Sequence, residues 1–111
     1  MTRGSIVVVA ARGAYTGKPR PAVPAVIVQA DLFNPSHASI TVCPITSDCV
    51  DAPLFRVTLP PGGRTGLSAV SQVMVDKVVS LPRTAVMREI GRCDAEQIAA
   101  IDDALRVWLA L

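Results

Sequence analysis

Apolar positions along this chain fall into short β-branched runs punctuated by glycine and proline, until residue 94, where their spacing changes to that of a helix. Gly4 to Ala11 reads as a first strand, and Ala25 to Gln29 as a second. Ser39 to Thr46 alternates as far as Pro44 and predicts a third, with the proline at an edge or bulge. Leu54 to Leu59 predicts a fourth. A longer β-rich stretch, Leu67 to Val79, is divided by a bend and ended by Leu81-Pro82-Arg83, and Met87 to Ile90 is strand-like again. Asp31-Leu32-Phe33-Asn34-Pro35-Ser36 and Pro60-Pro61-Gly62-Gly63-Arg64-Thr65-Gly66 are turns by composition. Asp94 is placed to cap a terminal helix and Gln97 to reach back to it. Ile98, Ile101, Leu105, Trp108 and Leu109 then share one face, which should close the barrel or pack on a partner, and Trp108, in register with Ile101 and Leu105, is assigned to the core.

These elements predict a mainly β domain with a C-terminal α-helix, in the α+β class, spanning 1–111 as one unit. Half the residues are apolar, enough for one core. The formal charge is only +2, which excludes a polybasic wrapper of nucleic acid but permits a local basic site. No apolar run reaches the roughly 18 residues of a membrane span, and Ser5 to Ala11 is too short and β-branched for a signal peptide, so a cytoplasmic protein with no membrane partner is expected. Cys43, Cys49 and Cys93 include no CxxC pair, and His37 is the sole histidine. Free buried thiols are therefore expected, with no metal and no other cofactor.

Candidate chemistry gathers in two places. Pro19-Arg20-Pro21 holds a guanidinium on a stiff, extended segment leading into a strand, where a planar fork suits phosphate oxygens. The preceding loop offers Arg12, Tyr15 and Lys18, cations for phosphate and an aromatic to stack on a base. Thr46 and Ser47 present two hydroxyls where the third strand leaves regular pairing, although a turn-forming role for Thr46 is equally consistent with its neighbours.

Several ordered segments carry a resemblance: Gly4-Ser5-Ile6-Val7, Gly17-Lys18-Pro19-Arg20-Pro21-Ala22-Val23, Val42-Cys43-Pro44-Ile45-Thr46, Gly66-Leu67, Ser71-Gln72-Val73, Asp76-Lys77, Pro82-Arg83 and Ile90-Gly91-Arg92. In this order and spacing the chain resembles the MazF/PemK toxin endoribonucleases. The resemblance implies an SH3-like small barrel, a homodimer, metal-independent cleavage of single-stranded RNA, and neutralisation by an antitoxin with an acidic C-terminal segment. It makes Arg20 and Thr46 the catalytic pair, with Arg12, Tyr15, Lys18, Ser47, Ser71, Gln72, Lys77 and Arg83 on the substrate side. Ala69 and Ser71 stand where some relatives carry an Arg-x-Asp pair. Pro-Ala-Val occurs twice, at 21–23 and 24–26. Either the core strand keeps its register from Pro24 and Arg20 sits on a lengthened loop, or the surplus bulges out at Pro24; the first arrangement is expected to weaken cleavage. A CcdB-like gyrase poison and an inactive relative that only binds antitoxin remain as alternatives.

Overall fold

The computed structural model describes residues 1–10 and 22–111. Its spine is β3 (Ser39–Thr46), with β2 (Val23–Ile27) antiparallel on one side. The other side of β3 is shared. β6 (Val79–Pro82) pairs with its first half, and β5 (Ser71–Met74) with Ile45 and Thr46. Cys43 and Pro44 lie between these two ladders, and the 3-10 turn Val75–Lys77 joins β5 to β6 beside them. Pro44 thus sits where β3 changes partner, the situation in which a residue without an N–H loses no ladder bond.

Outside β5 lies β4 (Arg56–Leu59); outside β2 come β1 (Ser5–Val9) and then β7 (Val86–Arg92). The five strands β6-β3-β2-β1-β7 curl toward a ring. Its ends are joined by the 3-10 turn Arg83–Ala85, which spans at most about 10 Å. That turn is tied at both ends: Arg83 N–H donates to Ala38 O (2.9 Å) and Ala85 O accepts from Ala10 N–H (2.8 Å). The expected small barrel is therefore closed by a turn rather than by a strand ladder, and the hydrogen-bonded sheet itself stays open between β4 and β7.

Both faces of β1, β2 and β3 are covered. Val7, Val9, Val23, Ala25, Ile27, Ile40 and Val42 form one apolar cluster, closed over by Val79, Leu81 and Val86. Ile6, Val26, Cys43 and Ile45 face the other way, toward Leu59, Val73 and the helix α1 (Ala95–Leu109). Burial on two faces explains why these strands read as nearly continuous β-branched runs, each buried Val or Ile contributing about 1.5–3 kcal/mol. Strand limits differ modestly from expectation. β1 ends at Val9, and β2 starts two residues earlier than Ala25 because Val23 pairs with Val9 and Pro24 with Val8. On the β3 side the β2 ladder begins only at Ala25, which leaves Pro24 with a partner on one side. Leu67 to Val70 is not strand. The turn at 60–67 lies backbone-to-backbone on β7, where a Cβ on Gly66 (φ +71°) would strike Ile90 O and one on Gly91 would strike Thr65.

The helix begins as its sequence dictates. Asp94 Oδ1 accepts from Gln97 N–H (2.8 Å) while Gln97 Oε1 accepts from Asp94 N–H (2.8 Å), a capping box whose loss typically costs about 1 kcal/mol. Ile101 and Ala104 are buried, and Ile98 and Leu105 pack at the margin of the core. Trp108 and Leu109 depart from the expected stripe: each remains about half exposed. The chain turns left-handed at Ala110 (φ 57°), so the helix ends just as its stripe leaves the core, and Trp108 packs instead against Phe55, ring centroids 5.8 Å apart and planes tilted by 55°. No helix among the described residues is long and apolar enough to cross a membrane.

Candidate active site

Three residues from three strands stand in a row across the sheet. Thr46 on β3 is level with Gln72 on β5, which is level with Thr58 on β4. Their neighbours Ile45, Val73 and Val57 point the opposite way, into the core. The two-residue period of each strand therefore puts this row on the face away from the helix-side cluster, the face that Val42 shares on β3. Over it lies the loop after β3, residues 47–53.

Thr46 is half-buried, and its Oγ1 accepts from Asp48 N–H at 3.1 Å. This is the turn bond expected of a hydroxyl at a strand end, and among the described residues nothing accepts the hydroxyl hydrogen, which can donate. The turn role and the donor role thus coexist in one side chain. Ser47 follows, fully exposed. Gln72 is 8% exposed. Its Nε2 donates to Val50 O (2.9 Å), and its Oε1 accepts from both Val50 N–H (3.0 Å) and Arg56 Nη1 (3.1 Å). Arg56 Nη1 also reaches Asp48 O (3.3 Å). Both acceptor positions of the Gln72 oxygen are occupied by protein donors, so Gln72 holds the loop.

The other sequence candidates are scattered. Ser71 is buried, and its hydroxyl donates to Ala69 O at 2.9 Å, turned inward rather than offered to a ligand. Lys77 lies half-buried on the 3-10 turn beside Pro44, one turn away from the row. Arg83 donates through Nη1 to His37 O (3.3 Å), at the start of β3 rather than at its Thr46 end. Arg12, Tyr15, Lys18 and Arg20 lie outside the described residues. Their segment nevertheless has fixed anchors. It leaves β1 after Val9 and enters β2 at Val23, which are paired with one another. Continuing the β2–β3 register by two residues sets Val23 level with Thr46. The chain therefore enters β2 from the Thr46 end of β3.

Arg56 escaped the sequence reading. It sits at an alternation position of an ordinary strand, and its link to Gln72 is a cross-strand diagonal (Arg56 faces Met74, Thr58 faces Gln72) visible only once the register is known. The cysteines also need correction. Cys43 and Cys93 are buried as expected, and burial pushes their thiols up to about 12 and about 11. Cys49, in the 47–53 loop, is exposed. Among the described residues, no three His, Cys, Asp or Glu side chains are grouped as metal ligands.

An antiparallel sheet curled into a near-barrel with one C-terminal helix is the architecture of the MazF toxins. The chain aligns with the Mycobacterium tuberculosis toxin MazF-mt6 at a TM-score of 0.82 and 23% identity, covering 96% of this chain and 97% of that one. It aligns with a MazE–MazF crystal structure from Deinococcus radiodurans at 0.78 and 25%, covering 100% and 96%. The family model described as PemK-like, MazF-like toxin of type II toxin-antitoxin system matches residues 2–109, and the chain belongs to that family. Over its full length it is 46% identical to the probable endoribonuclease MazF of Mycolicibacterium smegmatis, covering 98% of that protein.

Proposed function

We propose that this chain is the toxin of a type II toxin–antitoxin pair and cleaves single-stranded RNA by metal-independent transesterification, with Arg20 and Thr46 as its catalytic residues. The observation that carries the reading is the register of β2 on β3. Val23, the first residue of β2 and three after Arg20, falls level with Thr46, whose hydroxyl hydrogen has no acceptor among the described residues. In the reaction the RNA 2′-oxygen loses its proton and attacks the adjacent phosphorus. The bond to the 5′-oxygen breaks, and that oxygen takes up a proton. The products are a 2′,3′-cyclic phosphate and a 5′-hydroxyl. Between them the phosphorane carries extra negative charge, which a fixed guanidinium and a hydroxyl donor stabilise more strongly than they do the ground state. Arg20 supplies the charge and Thr46 donates to a non-bridging oxygen. Ser47, Arg12, Tyr15 and Lys18 are assigned to binding the RNA strand.

The partners follow from the same reading. A similar structure, an endoribonuclease from a mycobacterial species, is described in complex with its cognate antitoxin, at a TM-score of 0.81. An acidic antitoxin segment would compete with RNA for the cationic loop of this chain. A second copy covers the apolar surface where Leu54 and Val107, both more than half exposed, line one groove beside α1. The substrate places the protein in the cytoplasm. Incubating the purified chain with single-stranded RNA, with and without EDTA, tests the reading. Cleavage in both, with 5′-hydroxyl ends, is expected. A 5′-phosphate product or a metal requirement would replace it with hydrolytic chemistry, and an intact but inert protein would leave only antitoxin binding.

A further inference from the structure

The 47–53 loop is held by two side chains that the sequence does not connect. Gln72 treats Val50 as a neighbouring strand would, giving its backbone one donor and one acceptor (2.9 and 3.0 Å). Arg56 bridges Gln72 Oε1 and Asp48 O (3.1 and 3.3 Å). Asp48 N–H in turn donates to Thr46 Oγ1 (3.1 Å). An unbroken path of hydrogen bonds therefore runs from β4 through β5 and the loop to the Thr46 hydroxyl. Gln72 is nearly buried, so releasing Val50 leaves polar groups without partners in a poorly hydrated place, and the clamp resists opening.

We propose that Arg56 and Gln72 are positioning residues for RNA cleavage. Acting through Val50 and Asp48, they fix the loop and the lone-pair side of Thr46, so that the hydroxyl hydrogen points at the phosphate, and they contact no RNA themselves. The proposal rests on the endoribonuclease reading above. It differs from a substrate-binding role for Gln72 in what each residue does to the kinetics. Misplacing a catalytic group by about 1 Å costs on the order of 10²-fold in rate while leaving ground-state binding largely intact.

The test compares the full-length parent with Gln72→Met, Gln72→Glu, Arg56→Met and the Arg56→Met/Gln72→Met double variant. Both Met singles are expected to lower kcat by about 10–10²-fold with little change in KM. The double is expected to lose no more than the worse single, because both residues act through one loop. Gln72→Glu, which keeps the acceptor for Val50 and Arg56, is expected to recover part of the rate. Independently of RNA, amide exchange at Val50 is expected to be slow in the parent and fast in Gln72→Met. A Gln72→Met variant that raises KM at unchanged kcat, beside a neutral Arg56→Met, makes Gln72 a direct RNA contact and overturns the proposal. Unchanged Val50 exchange overturns the clamp while leaving the enzyme reading intact. A parent that cleaves no RNA overturns the enzyme reading, and the catalytic role of the clamp falls with it.

Discussion

A hydroxyl with one bond accepted and one hydrogen to give is a small device, and at Thr46 it carries most of what this surface can do to a phosphate. Thr46→Ala removes the donor but leaves the strand and its core neighbours in place. Cleavage is therefore expected to fall about 10²–10³-fold with melting temperature nearly unchanged. Equal rates in variant and parent would reduce Thr46 to a turn residue. The cysteines divide at the same scale. With Cys43 pushed up to about 12 and Cys93 to about 11 by burial, both stay protonated and shielded at neutral pH, whereas Cys49 is open to solvent. A thiol-specific dye is expected to label one site rapidly in the native protein and three after denaturation without reductant. The same shifts set an alkaline limit. A thiol whose folded pKa is raised stabilises the fold fully below the unfolded value of about 9, and loses that contribution as pH climbs toward the folded value. Denaturant midpoints should hold level on the approach to pH 9 and decline between pH 9 and 11. Midpoints that stay level through that window would mean the two thiols ionise as freely in the folded protein as in the unfolded chain.

Elements were legible in the sequence where one local rule sufficed. The limits of β3 and the capping box of α1 follow from residues within a few positions of each other. What was hidden depended on pairing. β2 starts at Val23 because β1 offers Val9. The bend expected within 67–79 is the 3-10 turn Val75–Lys77, but that β5 and β6 both pair with β3, which changes partners at Pro44, needed the registers. The Arg56–Gln72 link needs two registers at once. Trp108 was misjudged because helical periodicity says nothing of where the core ends. The duplicated Pro-Ala-Val belongs at this scale too. Pairing runs unbroken from Val23 through Pro24 to Val26, so no bulge takes up the surplus at Pro24. Arg20 therefore stands three residues further from Pro24 and the strand than a single copy would place it, a path of up to about 10 Å. Deleting residues 24–26 would slide Pro21-Ala22-Val23 into the same register with the same side chains. Faster RNA cleavage is expected from the deletion, and its loss when Arg20→Ala is added. A deletion no faster than the parent would show that the longer loop already delivers Arg20 to its place.

At the scale of the molecule, one groove of about 490 Å³ runs between α1 and β4 with the loop before it, lined by Leu54, Val57 and Val107 and by the polar Arg56, Thr58 and Asp103. Leu54 and Val107 leave apolar surface exposed there, and sedimentation at micromolar concentration is expected to show a dimer. A monomer would sink that expectation. The ring has another consequence, which concerns time rather than shape. Its closure joins the earliest strand to almost the latest: Ser5 pairs with Arg92, and the turn that completes the circle is Arg83–Ala85. A chain growing from the ribosome cannot make that pairing until residues 86–92 have been synthesised, and pairings this distant along the chain form slowly, in milliseconds to seconds. Nascent chains halted at residue 85 should be cut readily by protease, and finished chains should resist. A poison made in the cell it attacks would then be harmless for as long as it is being written, and the antitoxin would need to be waiting only at the moment of release.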